Sequence, residues 1–128
     1  MTLNKQSKLI LATASLLIAL AICFGAFGAH ALKKILTPEY LVIYHTGVEY
    51  QFYNTLGLFA LGLIANFTTS IKKITYAFYF ILIGTIIFSG SLYLLTILDK
   101  PILGAITPIG GTAQIIGWLI LFFALIKE

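Results

Sequence analysis

The chain has 128 residues, eight lysines, no arginine, four acidic residues and a formal net charge of +4. Hydrophobic residues make up 60% and charged residues only 9%, against roughly 25% charged in an ordinary soluble domain. This excludes a soluble globular enzyme. The lysines stand at the ends of apolar runs rather than in a patch, and without arginine there is no bidentate phosphate reader, so nucleic acid is excluded as a partner.

Residues 9–32, 50–71, 74–98 and 101–126 carry no Lys, Asp or Glu and together cover 97 of the 128 positions. A helix needs about 20 apolar residues to cross a hydrocarbon core of about 30 Å. The pattern predicts one all-α domain, residues 1–128: an integral membrane four-helix bundle with spans at about 9–32, 48–68, 74–98 and 103–126. The lipid bilayer is its first expected partner.

Lys5 and Lys8 precede the first apolar run. That run exceeds the roughly 7–15 residues of a signal-peptide core, so it reads as a retained span. Ala21, Gly25 and Ala29 form a small-residue seam on it, with Gly28 alongside and His30 near its end. Cys23 is the only cysteine, so no internal disulfide is available. It reads as a packed thiol.

Thr37-Pro38-Glu39 is a helix start: a capping hydroxyl, a proline allowed at the first position, and an acid at the positive end of the dipole. No breaker follows before Gly47, so this helix continues into the second span. Tyr40, Tyr44, Tyr50 and Tyr53 suit the headgroup zone. His45, Glu49 and Tyr53 recur every four residues and share one face, while Gln51 and Asn54 fall on the other side.

Lys72-Lys73 opens the third span, and its Ser89 and Tyr93 lie on one face at i, i+4. Asp99-Lys100-Pro101 is a tight turn. Thr107-Pro108, with Gly110 and Gly111 after it, predicts either a broken start to the fourth span or a proline-started helix whose glycines pack closely. Gly110, Gly111, Ala113 and Gly117 supply small residues there, and Gln114 a polar one. The short connections make consecutive helices antiparallel neighbours in an up-down bundle. The terminal side carries Lys5, Lys8, Lys72, Lys73 and Lys127 against Lys33, Lys34 and Lys100 opposite, which places both termini in the cytoplasm.

Every span contributes polar positions: His30, His45, Glu49, Gln51, Tyr53, Asn54, Ser89, Tyr93, Thr107 and Gln114. They read either as a core that binds or passes a small solute or lipid, or as interfacial anchors and packing hydroxyls. In the first case a homodimer is expected, since four helices are few for a transport path; in the second the chain is a non-catalytic accessory or assembly subunit whose glycine faces pack against a larger membrane complex. No HExxH, GxSxG, P-loop or CxxC motif occurs, so no catalytic residue is assigned, and no metal site or cofactor is expected.

The landmarks GAFGAH at 25–30, YQFY at 50–53, FSGSLY at 88–93, LGAITPIGG at 103–111 and Gly117-Trp118 keep an order and spacing that resemble domain-of-unknown-function family 423. Some of its members are known as UPF0382 proteins. The resemblance spans essentially the whole chain. It implies a four-span, multi-pass protein of the bacterial cytoplasmic (inner) membrane and supplies no activity. Family members often carry a histidine after the YQ-x-Y run, where this chain has Asn54. A mechanism that needs a histidine there does not transfer.

Overall fold

In the computed structural model, residues 2–127 are described. Four helices follow one another: α1 (Lys5–His30), α2 (Pro38–Ile64), α3 (Ile71–Ile97) and α4 (Thr107–Ile126). Short 3₁₀ turns at Leu32–Lys34 and Pro101–Ala105 precede α2 and α4. Three segments, Lys5–Lys34, Ile71–Ile97 and Pro101–Ile126, are long and apolar enough to cross a membrane. The remaining helix, α2, has 27 residues, or roughly 40 Å at 1.5 Å per residue. Its middle carries His45, Glu49, Gln51 and Asn54.

Local chemistry fixes the ends. The Asn4 side chain caps α1 by accepting from the Ser7 amide at 2.8 Å. Thr37 caps α2, with Pro38 in the first turn and Glu39 beside it. Gly47 does not interrupt α2, so the helix runs unbroken from Pro38. Asp99 ends α3 with φ +52°. It takes the left-handed position usually given to glycine, and the Lys100 amide donates back to the Leu95 carbonyl at 3.0 Å in a Schellman arrangement. At the start of α4 the backbone stays helical through Ile106 (φ −83°, ψ −31°), so the 3₁₀ turn passes directly into α4 with Pro108 in its first turn, which is the proline-started alternative and not the broken one.

α1 packs on α2, α2 on α3, and α3 on α4. The two outer helices bury only narrow stripes. On α1 these are Ser7, Ile10, Ala14, Ala21 and Gly28. On α4 they are Gly110, Gln114, Gly117, Leu121 and Ala124. Spacings of three, four and seven residues are those of a left-handed helix pair. One apolar core joins Ile10, Ala14, Leu58, Leu61, Ile74, Phe78, Ile81 and Leu121 near the end that holds the termini.

The α3–α4 contact is made by backbone against backbone. A Cβ on Gly84 would lie 2.7 Å from the Gln114 nitrogen and 2.8 Å from the Gly110 carbonyl. One on Gly117 would lie 2.9 Å from the Ile81 nitrogen, and one on Gly110 would overlap the backbone of Phe88. Small residues allow this approach, and dispersion at close range then replaces the hydrophobic force that lipid does not provide. Gly90, by contrast, has no atom within 4 Å of the Cβ position. Gly110→Ala should therefore destabilise the bundle by about 1–3 kcal/mol through overpacking. Gly90→Ala should be neutral or gain up to about 1 kcal/mol from helix propensity. Thermal unfolding of both variants in one detergent checks this, and equal shifts would contradict the backbone contact.

Candidate functional site

The polar residues of the helices separate into an inward and an outward set. Gln51 is the centre of the inward set, with only 4% of its surface exposed. Its Nε2 donates to the Leu17 carbonyl of α1 at 2.8 Å, and its Oε1 accepts from the Tyr93 hydroxyl of α3 at 2.7 Å. One side chain thus ties three helices. Next to it the Ser89 hydroxyl donates to the Gly47 carbonyl at 2.7 Å. Gly47 leaves room for this, because the Tyr93 ring lies where its Cβ would be.

Asn54 carries the connection to α4. Its Oδ1 accepts from Trp118 Nε1 at 2.9 Å, and its Nδ2 donates to the Tyr50 carbonyl at 2.9 Å. The Trp118 ring covers Gly57. Gln114 reaches the Thr85 hydroxyl at 3.4 Å, and Thr107 shares a 2.6 Å bond with Ser91. Ser89 and Tyr93, which spacing puts on one face of α3, lie against Gly47 and Gln51 of α2.

Sequence reasoning placed Tyr44 in the headgroup zone, but the structure buries it completely. Its ring occupies the space a side chain at Gly28 would need, its hydroxyl donates to the Phe24 carbonyl, and it packs 5.2 Å from the Tyr93 ring. Phe24 completes an aromatic cluster, 4.9 Å from Tyr93. Two further staples were not visible beforehand. At one end the Asn4 amide donates to Asn66 Oδ1, Asn4 Nδ2 to the Ala65 carbonyl, and the Ser7 hydroxyl to the Gly62 carbonyl, at 2.8, 2.8 and 2.6 Å. At the other end the Tyr40 hydroxyl donates to Asp99 Oδ1 at 2.6 Å. That bond, slight burial and the nearby negative charge raise the Tyr40 pKa above the ordinary phenol value. A raised folded-state value means the bond contributes below the ordinary phenol pKa and is lost only as pH climbs through the raised one.

The outward set is different. His45, Glu49 and Tyr53 are exposed, on one stripe of α2 with Val42, Leu56, Ala60 and Leu63. Glu49 makes no hydrogen bond or ion pair with any described residue. It sits near the middle of α2, roughly 16 Å from the Pro38 end at 1.5 Å per residue. His30 and Ala29 are exposed at the end of α1. Gly25, Gly111 and Ala113 are half-buried, while Ala21, Gly28, Gly110 and Gly117 are buried. A cleft of about 140 Å³ opens between α1, α2 and α3, lined by Leu17, Phe24, Gln51, Ser89, Gly90 and Tyr93. Among the described residues no three of His, Cys, Asp or Glu converge as metal ligands, and Cys23 is exposed.

The model of a family described as "Protein of unknown function (DUF423)" matches residues 24–111. The chain belongs to this family. It is 44% identical to the UPF0382 membrane protein YwdK of Bacillus subtilis, over 84% of this chain and 88% of that one. A UPF0382 membrane protein of Staphylococcus epidermidis is 47% identical over 84% of this chain and 87% of its own. The UPF0382 membrane protein SH2409 of Staphylococcus haemolyticus is 42% identical over 94% and 97%. No solved structure matches. This DUF423 chain is thus a helical membrane protein of a family without an assigned activity. Gln51, Asn54, Ser89, Tyr93 and the Glu49 stripe as far as Leu63 lie inside the matched region, whereas Gln114 and Trp118 lie beyond it.

The Gln51–Tyr93 bond has a measurable consequence. A double-mutant cycle with Gln51→Leu and Tyr93→Phe should give a coupling of about 0.6–1.7 kcal/mol, the range for interhelical bonds in lipid. Reversible unfolding in mixed micelles reads it. Additive effects would mean that the two groups do not hold each other.

Proposed function

We propose that this protein is a multi-pass, non-catalytic accessory or assembly subunit of the cytoplasmic membrane. Its working surface is the outward stripe of α2. The carrying observation is Glu49: a carboxyl group exposed near the middle of a 27-residue helix, without a partner among the described residues, on a stripe otherwise made largely of apolar side chains. With the whole of α2, and not residues 48–68 alone, crossing the membrane, Glu49 lies inside the hydrocarbon, roughly 16 Å from the Pro38 end at 1.5 Å per residue. An ionised side chain there costs about 2.5–3.5 kcal/mol on insertion scales and more in simulations. Protonation lowers the cost but leaves a hydroxyl with nothing to bond. A protein surface placed over the stripe removes both problems. The inward residues support the same reading, since Gln51, Asn54, Ser89 and Tyr93 spend hydrogen bonds on neighbouring helices.

A second reading, binding of a small solute or lipid in the polar core, is favoured by the 140 Å³ cleft beside Gln51 and by the open space at Gly90. It is the alternative outcome of the test. Photo-crosslinking side chains placed at Val42, Leu56 or Leu63 should give a discrete protein adduct in native membranes. The same groups at Ile83 or Phe122, on the outer faces of α3 and α4, should give lipid adducts alone. Lipid adducts alone at every position would sink the assembly reading and turn attention to the cleft. Reporter fusions test the topology independently: a fusion behind α4 should be active in the cytoplasm, and one between α1 and α2 outside it.

A further inference from the structure

The stripe itself points to its occupant. His45 and Glu49 stand one helical turn apart on the same exposed line. A surface that carries both an acid and a base at that spacing is complementary to itself. In a twofold pair each copy offers a basic group to the other's carboxyl and a carboxyl to the other's basic group. A notch of about 270 Å³ lies beside His45, lined by Gly28, Ala29, Lys33 and Leu41. Its lining has small residues on α1, and Lys33 adds a positive charge next to the His45 imidazole. Below Glu49 the stripe continues as Leu56, Ala60 and Leu63, all exposed, so two such helices can lie along each other. Ala60 allows close approach.

We infer that the stripe is covered by a second copy of the same chain, with Glu49 of each copy set against His45 and the Lys33 notch of the other. This rests on the assembly reading above and names its partner. The lysine distribution orients both copies the same way, so the twofold axis runs along the membrane normal. Equivalent positions on the stripe then face each other, and each Glu49 crosses diagonally by one turn to His45.

The experiment uses the full chain in native membranes and two kinds of variant. In a Cys23→Ser background, Leu56→Cys and Leu63→Cys should each form a homodimer with a short bismaleimide, and Ile83→Cys on the outer face of α3 should not. Two differently tagged copies should co-purify, and Glu49→Gln should reduce that by about three- to twenty-fold, the range for one interhelical bond in lipid. The exchange of His45→Glu together with Glu49→His should restore it. The Glu49 side chain is exposed and has no hydrogen bond or ion pair with any described residue, so the variants should keep the fold, and the cysteine pairs carry a wild-type Glu49 in any case. Absence of both the Leu56→Cys and Leu63→Cys homodimers, with tagged copies that do not co-purify, overturns the self-pairing. If the stripe then crosslinks to a different protein, the assembly reading survives without it. If the stripe crosslinks to no protein, both fail.

Discussion

Lipid tails offer no hydrogen bonds, and that constraint governs where each polar side chain of this protein can go. Gln51 is the clearest case. An amide has donors and an acceptor, and inside a bundle of apolar helices it must find partners for both ends. It does so by bridging the Leu17 carbonyl of α1 and the Tyr93 hydroxyl of α3. Because the bond directions are fixed, the bridge sets the rotation of α2 about its own axis relative to both neighbours. Once α2 is set that way, Gly47 meets Ser89 and Tyr93, Asn54 turns toward Trp118, and His45 and Glu49 face outward.

The same constraint explains why the helices differ in composition. α1 and α4 each touch the bundle by one narrow stripe and expose the rest, with small residues at the contacts. α2 and α3 lie in the middle of the row and bury more. Polar groups are affordable there because neighbours supply partners. Hydroxyls such as Thr55, Thr85 and Thr96 bond to carbonyls of their own helix and need nobody else. Gln51, Asn54, Ser89 and Trp118 do need a neighbour, and they hold the row together in a definite order.

Much of this was legible beforehand, and for identifiable reasons. Charge-free runs marked the number of helices, three of which lie in segments long and apolar enough to cross a membrane. Thr37-Pro38-Glu39 fixed where α2 begins, because capping is local chemistry. Helical spacing separated Gln51 and Asn54 from His45 and Glu49, since faces follow from the period alone. What stayed hidden was pairing across distance. Gly84 looked like any glycine until Gly110 and Gln114 lay against its backbone. Tyr44 looked interfacial because nothing in its neighbourhood tells that Gly28, sixteen residues earlier, leaves a ring-sized space. Asn4 and Asn66 are ordinary loop residues until the ends of α1 and α2 are brought together. The signal on α1 was present but read with the wrong period. The seam follows seven-residue steps through Ser7, Ala14, Ala21 and Gly28, not the four-residue steps that lead to exposed Ala29.

An interior in which Gln51, Asn54, Ser89 and Tyr93 spend their hydrogen bonds on neighbouring segments has little freedom left for transport. Opening a path past Gln51 would break bonds to two helices at once, and nothing in hydrocarbon would replace them. Glu49 presents the reverse situation, since its bonding capacity is unused and it points away from the bundle. Evolution could satisfy an inward glutamate with any hydroxyl from α3, and a lipid-facing one could be a leucine at no structural loss. On the assembly reading proposed above, the exposed Glu49 owes its place to a contact outside the fold. Within the 24–111 match the other lysines and acids stand at or near helix ends, whereas Glu49 is a charged side chain near the middle of a helix.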